Sequence, residues 1–429
     1  MTRFHELTAT QIVRAIHSRE ATAQAVVEDC LAYIAEIEPR VQAWNWLDPE
    51  QAIAQARAVD KSSVQGPLQG VPVGLKDIID TADMPTEYGT PIHRGRRPSH
   101  DAACTALTRR AGGVIMGKTV TTEFANRFPG KARNPHDTER TPGGSSSGSG
   151  AAVGGSMVPL AIGTQTTAST IRPASFCGCV GYVPSRGDIR TAGVMEAAGS
   201  FDALGLMARS VEDINLFRSV LVSMPTPALA SIDLKGLRVG FVRTEFWDEC
   251  EQAAKAALED CAAVLARQGA QVTDLSLPPA FSQIAEAHRW VSSFEFVRNR
   301  TWEIDHHWEE ISQTLRDGRI ADGTGCSFEL YAESRETLRQ LGLQFDDLQR
   351  DYDVLLTPAA AGEAPIGLTS TGNALFSTLW TALNVPAITL PMYKGSHGMP
   401  IGVQWIGRRF GDQQLLAVAQ AVASRIGFA

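Results

Sequence analysis

Residues 141–178 gather the side chains best suited to covalent chemistry. Thr141-Pro142-Gly143-Gly144-Ser145-Ser146-Ser147-Gly148-Ser149-Gly150 is followed by Gly163-Thr164-Gln165-Thr166-Thr167-Ala168-Ser169. A run so rich in Gly and Ser often serves as a flexible linker. This one leads straight into Ala151-Ala152-Val153 and Val158-Pro159-Leu160-Ala161-Ile162, and backbone buried among such apolar neighbours needs partners for its amides. A phosphate-binding P-loop needs a lysine at the loop's end, and none follows. A serine nucleophile remains, in two versions.

In the first version Gly144-Ser145-Ser146-Ser147-Gly148 forms a G-x-S-x-G elbow, with Ser146 as nucleophile and His397 as base. An elbow requires an apolar strand just before it, whereas Asn134–Arg140 is polar and turn-forming. The second version uses a lysine base. A lysine amine accepts a proton only when neutral, so its pKa must fall from about 10.4 towards 7, a shift of about 4–5 kcal/mol. Burial supplies such a shift. The chain has seven lysines against 32 arginines, and Lys76 ends the apolar run Val71–Leu75, where water should be scarce. The competing reading is a strand-end lysine that reaches water or pairs with Asp77 or Asp80.

Alternating elements surround these residues. Residues 8–38 read as two helices, the first opened by a Thr8/Gln11 capping box. Strand-like runs follow at Gly70–Leu75, Val114–Met116, Leu234–Val242, Gln271–Leu275, Val354–Leu356 and Ala387–Leu390, with helical patterns at Thr105–Arg110 and Gln252–Arg267. The alternation predicts an α/β layered fold with a mixed or parallel sheet. Residues 285–350 are helical and charged, with Trp290, Trp302 and Trp308 as candidates for core packing or a pocket floor.

Composition narrows the function classes. The 429 residues are 44% hydrophobic and 20% charged, which excludes a disordered chain. Mean hydropathy is −0.09 and no apolar run reaches 18 residues, so no membrane association is expected. A net charge of −8 without a basic block argues against a nucleic-acid partner. The start, Met1–Glu6, has no signal-peptide core, and seven irregularly spaced cysteines suit reduced thiols, so a cytoplasmic location is expected. Cys177-Gly178-Cys179 lacks a second ligand pair at metal spacing, and no metal site is expected.

An ordered set of motifs resembles the amidase signature family of serine hydrolases. It comprises Gly70-Val71-Pro72-Val73-Gly74-Leu75-Lys76-Asp77, Gly117–Ala125, Gly143–Ser149, the segment around Ser169, Asn384–Pro391 and Pro400–Gln404. The resemblance implies one domain over residues 1–429, an α/β fold with a central twisted mixed sheet covered by helices on both faces, and a substrate-shaping region at about 285–350. It further implies a catalytic triad of Lys76, Ser145 and Ser169, with a cis bond at Gly144–Ser145 and an oxyanion hole of backbone N–H groups at Thr166, Thr167, Ala168 and Ser169. Glu123 and Phe124 fall where family members line the acyl pocket. No cofactor or metal is implied. Family members commonly carry Asp-Thr-Gly-Gly-Ser before the nucleophile, whereas this chain has Gln165-Thr166-Thr167-Ala168-Ser169. A positive φ at Thr167 or Ala168 would therefore be strained. The expected function is hydrolysis of small linear amides, extending to anilides, carbamates (a urethanase-like activity) or esters, through an acyl-enzyme. The expected partners are a small-molecule amide or carbamate and at most a second copy of the chain. Two alternatives stand beside it: the glutaminase-type subunit of a tRNA-dependent amidotransferase, and a Ser-His-Asp esterase using Ser146 and His397.

Overall fold

The computed structural model describes residues 3–428. Eleven strands form one sheet: β1 (Trp44–Leu47), β2 (Pro72–Lys76), β3 (Val114–Thr119), β4 (Leu160–Gln165), β5 (Val180–Val183), β6 (Ala203–Ala208), β7 (Arg238–Phe241), β8 (Gln271–Asp274), β9 (Val354–Pro358), β10 (Ala387–Lys394) and β11 (Pro400–Ile406). Their spatial order is β1-β3-β2-β4-β6-β5-β10-β11-β9-β7-β8. Pairing is parallel on both flanks, at β3/β2/β4 and β9/β7/β8. It is antiparallel through the centre, from β4/β6 to β11/β9, and again where β1 joins β3 at one edge. The sheet is mixed, as the alternation and the resemblance predict.

Side chains leave a strand on alternate faces, and here both faces are covered. Ile115 of β3, Leu160 and Ile162 of β4 and Leu206 of β6 join one apolar cluster, together with Ile214 and Phe217 of the helix Val211–Leu221. Val114 and Met116, Ala161 and Met207 point the other way, into a cluster with Ala151, Ala152 and Val153 of the helix Ser147–Gly154. This explains why β2 and β4 read as unbroken apolar runs: parallel strands covered on both faces have no solvent side.

The N-terminal reading holds closely. Helices span Ala9–His17 and Ala23–Val41, and the Thr8/Gln11 capping box is formed. The expected strand Leu234–Val242 shortens to β7, because the Leu237 N–H donates to the Leu234 carbonyl across a turn in which Gly236 has φ +80. Residues 285–350 contain the helices Ile284–Asn299 and Phe328–Leu348, with shorter turns between them. Trp302 and Trp308 are 52% and 41% exposed, which corrects both the core and the pocket-floor readings for these two residues. Among the described residues no helix is long and apolar enough to cross a membrane.

Candidate active site

Lys76 closes β2, and neighbouring strands bury its side chain completely. Its Nζ lies 2.7 Å from Ser145 Oγ and 2.8 Å from Thr164 Oγ1 of the adjacent β4. Two hydroxyls replace little of the hydration an ammonium loses, so burial lowers the lysine pKa to about 7, with Asp202 pulling weakly upward. Near neutrality a sizeable fraction of Lys76 is therefore uncharged, and the uncharged amine can take a proton from the Ser145 hydroxyl.

A tightly held loop presents Ser145. Gly143 sits at φ +82, and a Cβ there would fall 2.8 Å from Pro173 Cα, so glycine is needed on both grounds. The Gly144–Ser145 peptide bond is cis. Arg172 donates to the Gly144 carbonyl (2.6 Å), to Thr371 Oγ1 (3.1 Å) and to the Gly372 carbonyl (2.8 Å). The other serines of the run have structural partners. Ser146 Oγ accepts from Thr164 N–H and donates to Thr164 O, both at 3.2 Å, and a Cβ on Gly163 would fall 2.5 Å from it. Ser147 Oγ donates to the Val120 carbonyl, and Ser149 Oγ pairs with Thr119 Oγ1.

Ser169 lies beyond β4, half-buried, with its carbonyl accepting from Ser146 N–H at 3.2 Å. Gln165 Oε1 accepts from the N–H groups of Thr170 (3.0 Å) and Ile171 (3.1 Å), and His288 Nε2 donates to the Thr166 carbonyl at 2.8 Å. Burial lowers the His288 pKa to about 4, which keeps the ring neutral. Among the described residues the N–H groups of Thr166 to Ser169 donate to no protein acceptor, and Ser169 Oγ has no hydrogen-bond partner. Neither Thr167 nor Ala168 has a positive φ, so the missing glycines cost no backbone strain.

Ser169 and these amides open onto a cleft of about 580 Å³. One wall comes from Ala285, His288, Arg289 and Ser292 of the helix Ile284–Asn299. Four arginines, Arg127, Arg172, Arg289 and Arg319, line the cleft against one carboxylate, Asp322. Arg289 is the one paired with Asp322. Burial lowers Arg172 and Arg319 to about 10, and both remain charged at neutral pH. Among the described residues the Nε of each is buried without a hydrogen-bond partner.

The structure thus joins Lys76 to Ser145, and Ser169, whose carbonyl accepts from the Ser146 N–H, lines the cleft. Glu123 and Phe124 lie elsewhere. The Glu123 carboxylate accepts from Ser312 N–H at 3.1 Å and from the Ser312 hydroxyl, while Phe124 packs edge-on to His93 with 6.0 Å between ring centres. Positive φ at Phe124 and Ala125 turns the chain, so the cleft lining begins at Ala125 and continues through Asn126 and Arg127. The Ser146–His397 version is not assembled. Ser146 is fully buried against the Thr164 backbone, and His397 Nδ1 pairs with the Glu363 carboxylate at 2.6 Å. Sequence reading missed Thr164, Asp202, His288 and Arg319. Thr164 stands inside the Gly/Ser/Thr segment and was within reach; the others carry no local signal. All seven cysteines are free and buried, and the described residues hold no cluster suited to a metal ion.

Known proteins share this fold. The family model described as Amidase matches residues 25–416. The chain belongs to the amidase signature family. This amidase-family hydrolase, whose family acts on C–N bonds, is 34% identical to a glutamyl-tRNA(Gln) amidotransferase subunit of Chloroflexus aggregans, over 98% of this chain and 96% of that one. It is 32% identical to the subunit of the same name from Nitratidesulfovibrio vulgaris, over 99% and 97%. Among solved structures, an amidase superposes with a TM-score of 0.91 at 26% identity, covering 98% of this chain and 100% of that one. The native peptide amidase of Stenotrophomonas maltophilia superposes with 0.87 at 26% identity, covering 99% and 97%. The relatives' names overturn the expected partner set of a small amide or carbamate, no nucleic acid and at most a second copy. They are subunits of an assembly named for a tRNA. The expectation failed because net charge averages over the whole surface, while one component of an assembly needs only local complementarity.

Proposed function

We propose that this chain hydrolyses a carboxamide by acyl transfer as a glutaminase-type subunit, with Ser169 as nucleophile, Ser145 as proton bridge and Lys76 as base. The observation that carries the reading is the buried Lys76 Nζ, 2.7 Å from Ser145 Oγ and with its pKa lowered to about 7. Neutral Lys76 takes the Ser145 proton as Ser145 takes that of Ser169, and the Ser169 Oγ–carbon bond forms. The developing oxyanion lies against the unengaged N–H groups of Thr166 to Ser169; one such donor is typically worth about 3–4 kcal/mol of barrier. The C–N bond then breaks, the proton returns through Ser145 to the leaving ammonia, and water hydrolyses the ester.

The surplus of arginine in the cleft favours a substrate that carries a carboxylate beside its amide. Glutamine meets that requirement and agrees with the relatives' names. Hydrolysis of other linear amides by the chain alone is a second reading, favoured by the likeness to a peptide amidase. On either reading the whole chain works as one domain, with residues 285–350 setting which substrate fits. Seven buried free thiols favour a reducing compartment such as the cytoplasm.

Ammonia release from glutamine and from a panel of neutral linear amides, with wild type and Arg319→Gln, tests the proposal. A glutamine KM raised at least tenfold in Arg319→Gln, with neutral amides unaffected, is the expected result. Turnover of neutral amides and none of glutamine would replace the first reading by the second. Fluorophosphonate labelling at a residue other than Ser169 would remove the nucleophile assignment itself.

A further inference from the structure

The helix Ile284–Asn299 serves two cavities. One face lines the catalytic cleft; another, carrying Val291, Phe294, Glu295 and Arg298, lines a separate groove of about 720 Å³. Five arginines reach this groove from separate segments: Arg186 beyond β5, Arg298, Arg335 and Arg339 of the helix Phe328–Leu348, and Arg409 beyond β11. They face two carboxylates, Glu196 and Glu295.

Three of these guanidinium groups have no ion pair among the described residues. Arg186 donates only to the Gly199 carbonyl, Arg298 to the Phe294 carbonyl (2.9 Å) and Arg335 to the Tyr331 hydroxyl (3.3 Å), which leaves most of their N–H donors free. Aromatic faces hold two of them in place. Arg298 stacks over Phe294 at 3.1 Å from the ring centre, and Arg335 lies over Tyr331 at 5.6 Å. Among the described residues Glu295 makes no ion pair with them; its carboxylate accepts from the Ser200 N–H (2.9 Å), the Ser200 hydroxyl and the Tyr331 hydroxyl (3.0 Å). The groove is also close to the chemistry. Ser200 precedes Phe201, which packs on His288, and Asp202, which accepts from the Thr166 hydroxyl beside the Ser169 loop.

We propose that this groove binds a ligand carrying phosphate groups, at a site distinct from the cleft of Ser169. Arg339 and Arg409 pair with Glu336 and Asp346, and the three unpaired guanidinium groups come from three separate segments. Planar guanidinium forks from different elements suit the several oxygens of a phosphate or diphosphate. A free phosphorylated molecule and an RNA backbone offer the same oxygens, and the test separates these two sources. The proposal rests on none of the catalytic assignments.

The test titrates pyrophosphate into wild type, the Arg298→Ala/Arg335→Ala double variant and Arg127→Ala by calorimetry, with thermal melts to confirm folding. Wild type and Arg127→Ala should bind alike, and the double variant at least tenfold more weakly. Should the double variant fail to melt cooperatively, Arg186→Gln takes its place in the comparison. No binding of pyrophosphate or RNA to wild type would overturn the proposal. So would binding lost in Arg127→Ala and kept in the double variant, which would place the anion in the catalytic cleft. A short single-stranded RNA, followed by anisotropy across a salt series, distinguishes the sources. Salt-dependent RNA binding lost in the double variant assigns the RNA backbone. Pyrophosphate binding without RNA binding assigns a free phosphorylated ligand.

Discussion

Lys76 and Lys118 stand on neighbouring strands, both fully buried, and the structure prepares them for opposite tasks. In the parallel register Lys118 lies beside Leu75, so its side chain leaves the sheet on the face opposite to that of Lys76. Lys118 Nζ is 3.2 Å from the Asp77 carboxylate, and it donates to Thr86 Oγ1 (2.6 Å) and the Pro85 carbonyl (3.2 Å). Two hydrogen-bond acceptors and one carboxylate in ionic contact suit an ammonium. Burial lowers both lysines, but contact with Asp77 pulls Lys118 back up, whereas Lys76 touches only hydroxyls. Both are buried, but only Lys76 has no carboxylate in contact among the described residues, which suits it to the proposed role of base.

Exchanging each lysine for methionine should separate the two roles. Lys76→Met is expected to lower kcat/KM for amide turnover by about 10²–10⁴-fold, the range for loss of a general base, with a melting temperature no lower than wild type. A collapse of the fold in this variant would make Lys76 structural and break the contrast. Lys118→Met should do the reverse. Asp77 Oδ1 has no hydrogen bond and relies on that ammonium, so the variant should lose about 3–5 kcal/mol in urea unfolding while the folded fraction keeps its activity.

The pH response sharpens the same comparison. Activity should rise with unit slope through about pH 7 as Lys76 loses its proton. Because its folded pKa lies below the unfolded value, the unfolded chain binds the extra proton between about 7 and 10.5, so this group adds stability as pH rises through that window. Unfolding free energies of wild type, measured against Lys76→Met as reference, should show that rise; a flat difference would mean Lys76 is not depressed. The smallest effect is expected from Thr164→Val. It removes one hydroxyl from Nζ and should reduce kcat about tenfold with KM nearly unchanged.

Much of the fold near the site was legible. The run Val71–Leu75 becomes a buried strand ending at Lys76, and the caps and apolar spacing of residues 8–38 yield the two helices. These signals are local: period, cap and composition act within a few residues. β6 was missed because Ala203-Leu204-Gly205-Leu206-Met207-Ala208 carries neither alternation nor β-branching. Its glycine exists for a distant contact, since a Cβ on Gly205 would collide with Thr170 Oγ1. Glu123 and Phe124 were misplaced for a similar reason. Positive φ at non-glycine residues has no signature in composition, and it is what swings Arg127 rather than Phe124 to the cleft.

The sequence by itself determined the order Lys76, Ser145, Ser169, the Gly/Ser loop between them and the α/β class, because motif spacing and hydrophobic period are properties of the chain. Only the tertiary structure decided which buried lysine has no carboxylate in contact, which serine meets it, and which arginines surround the cleft. Those outcomes depend on desolvation and on partners drawn from segments far apart in sequence, among them Thr164, Asp77 and Arg319.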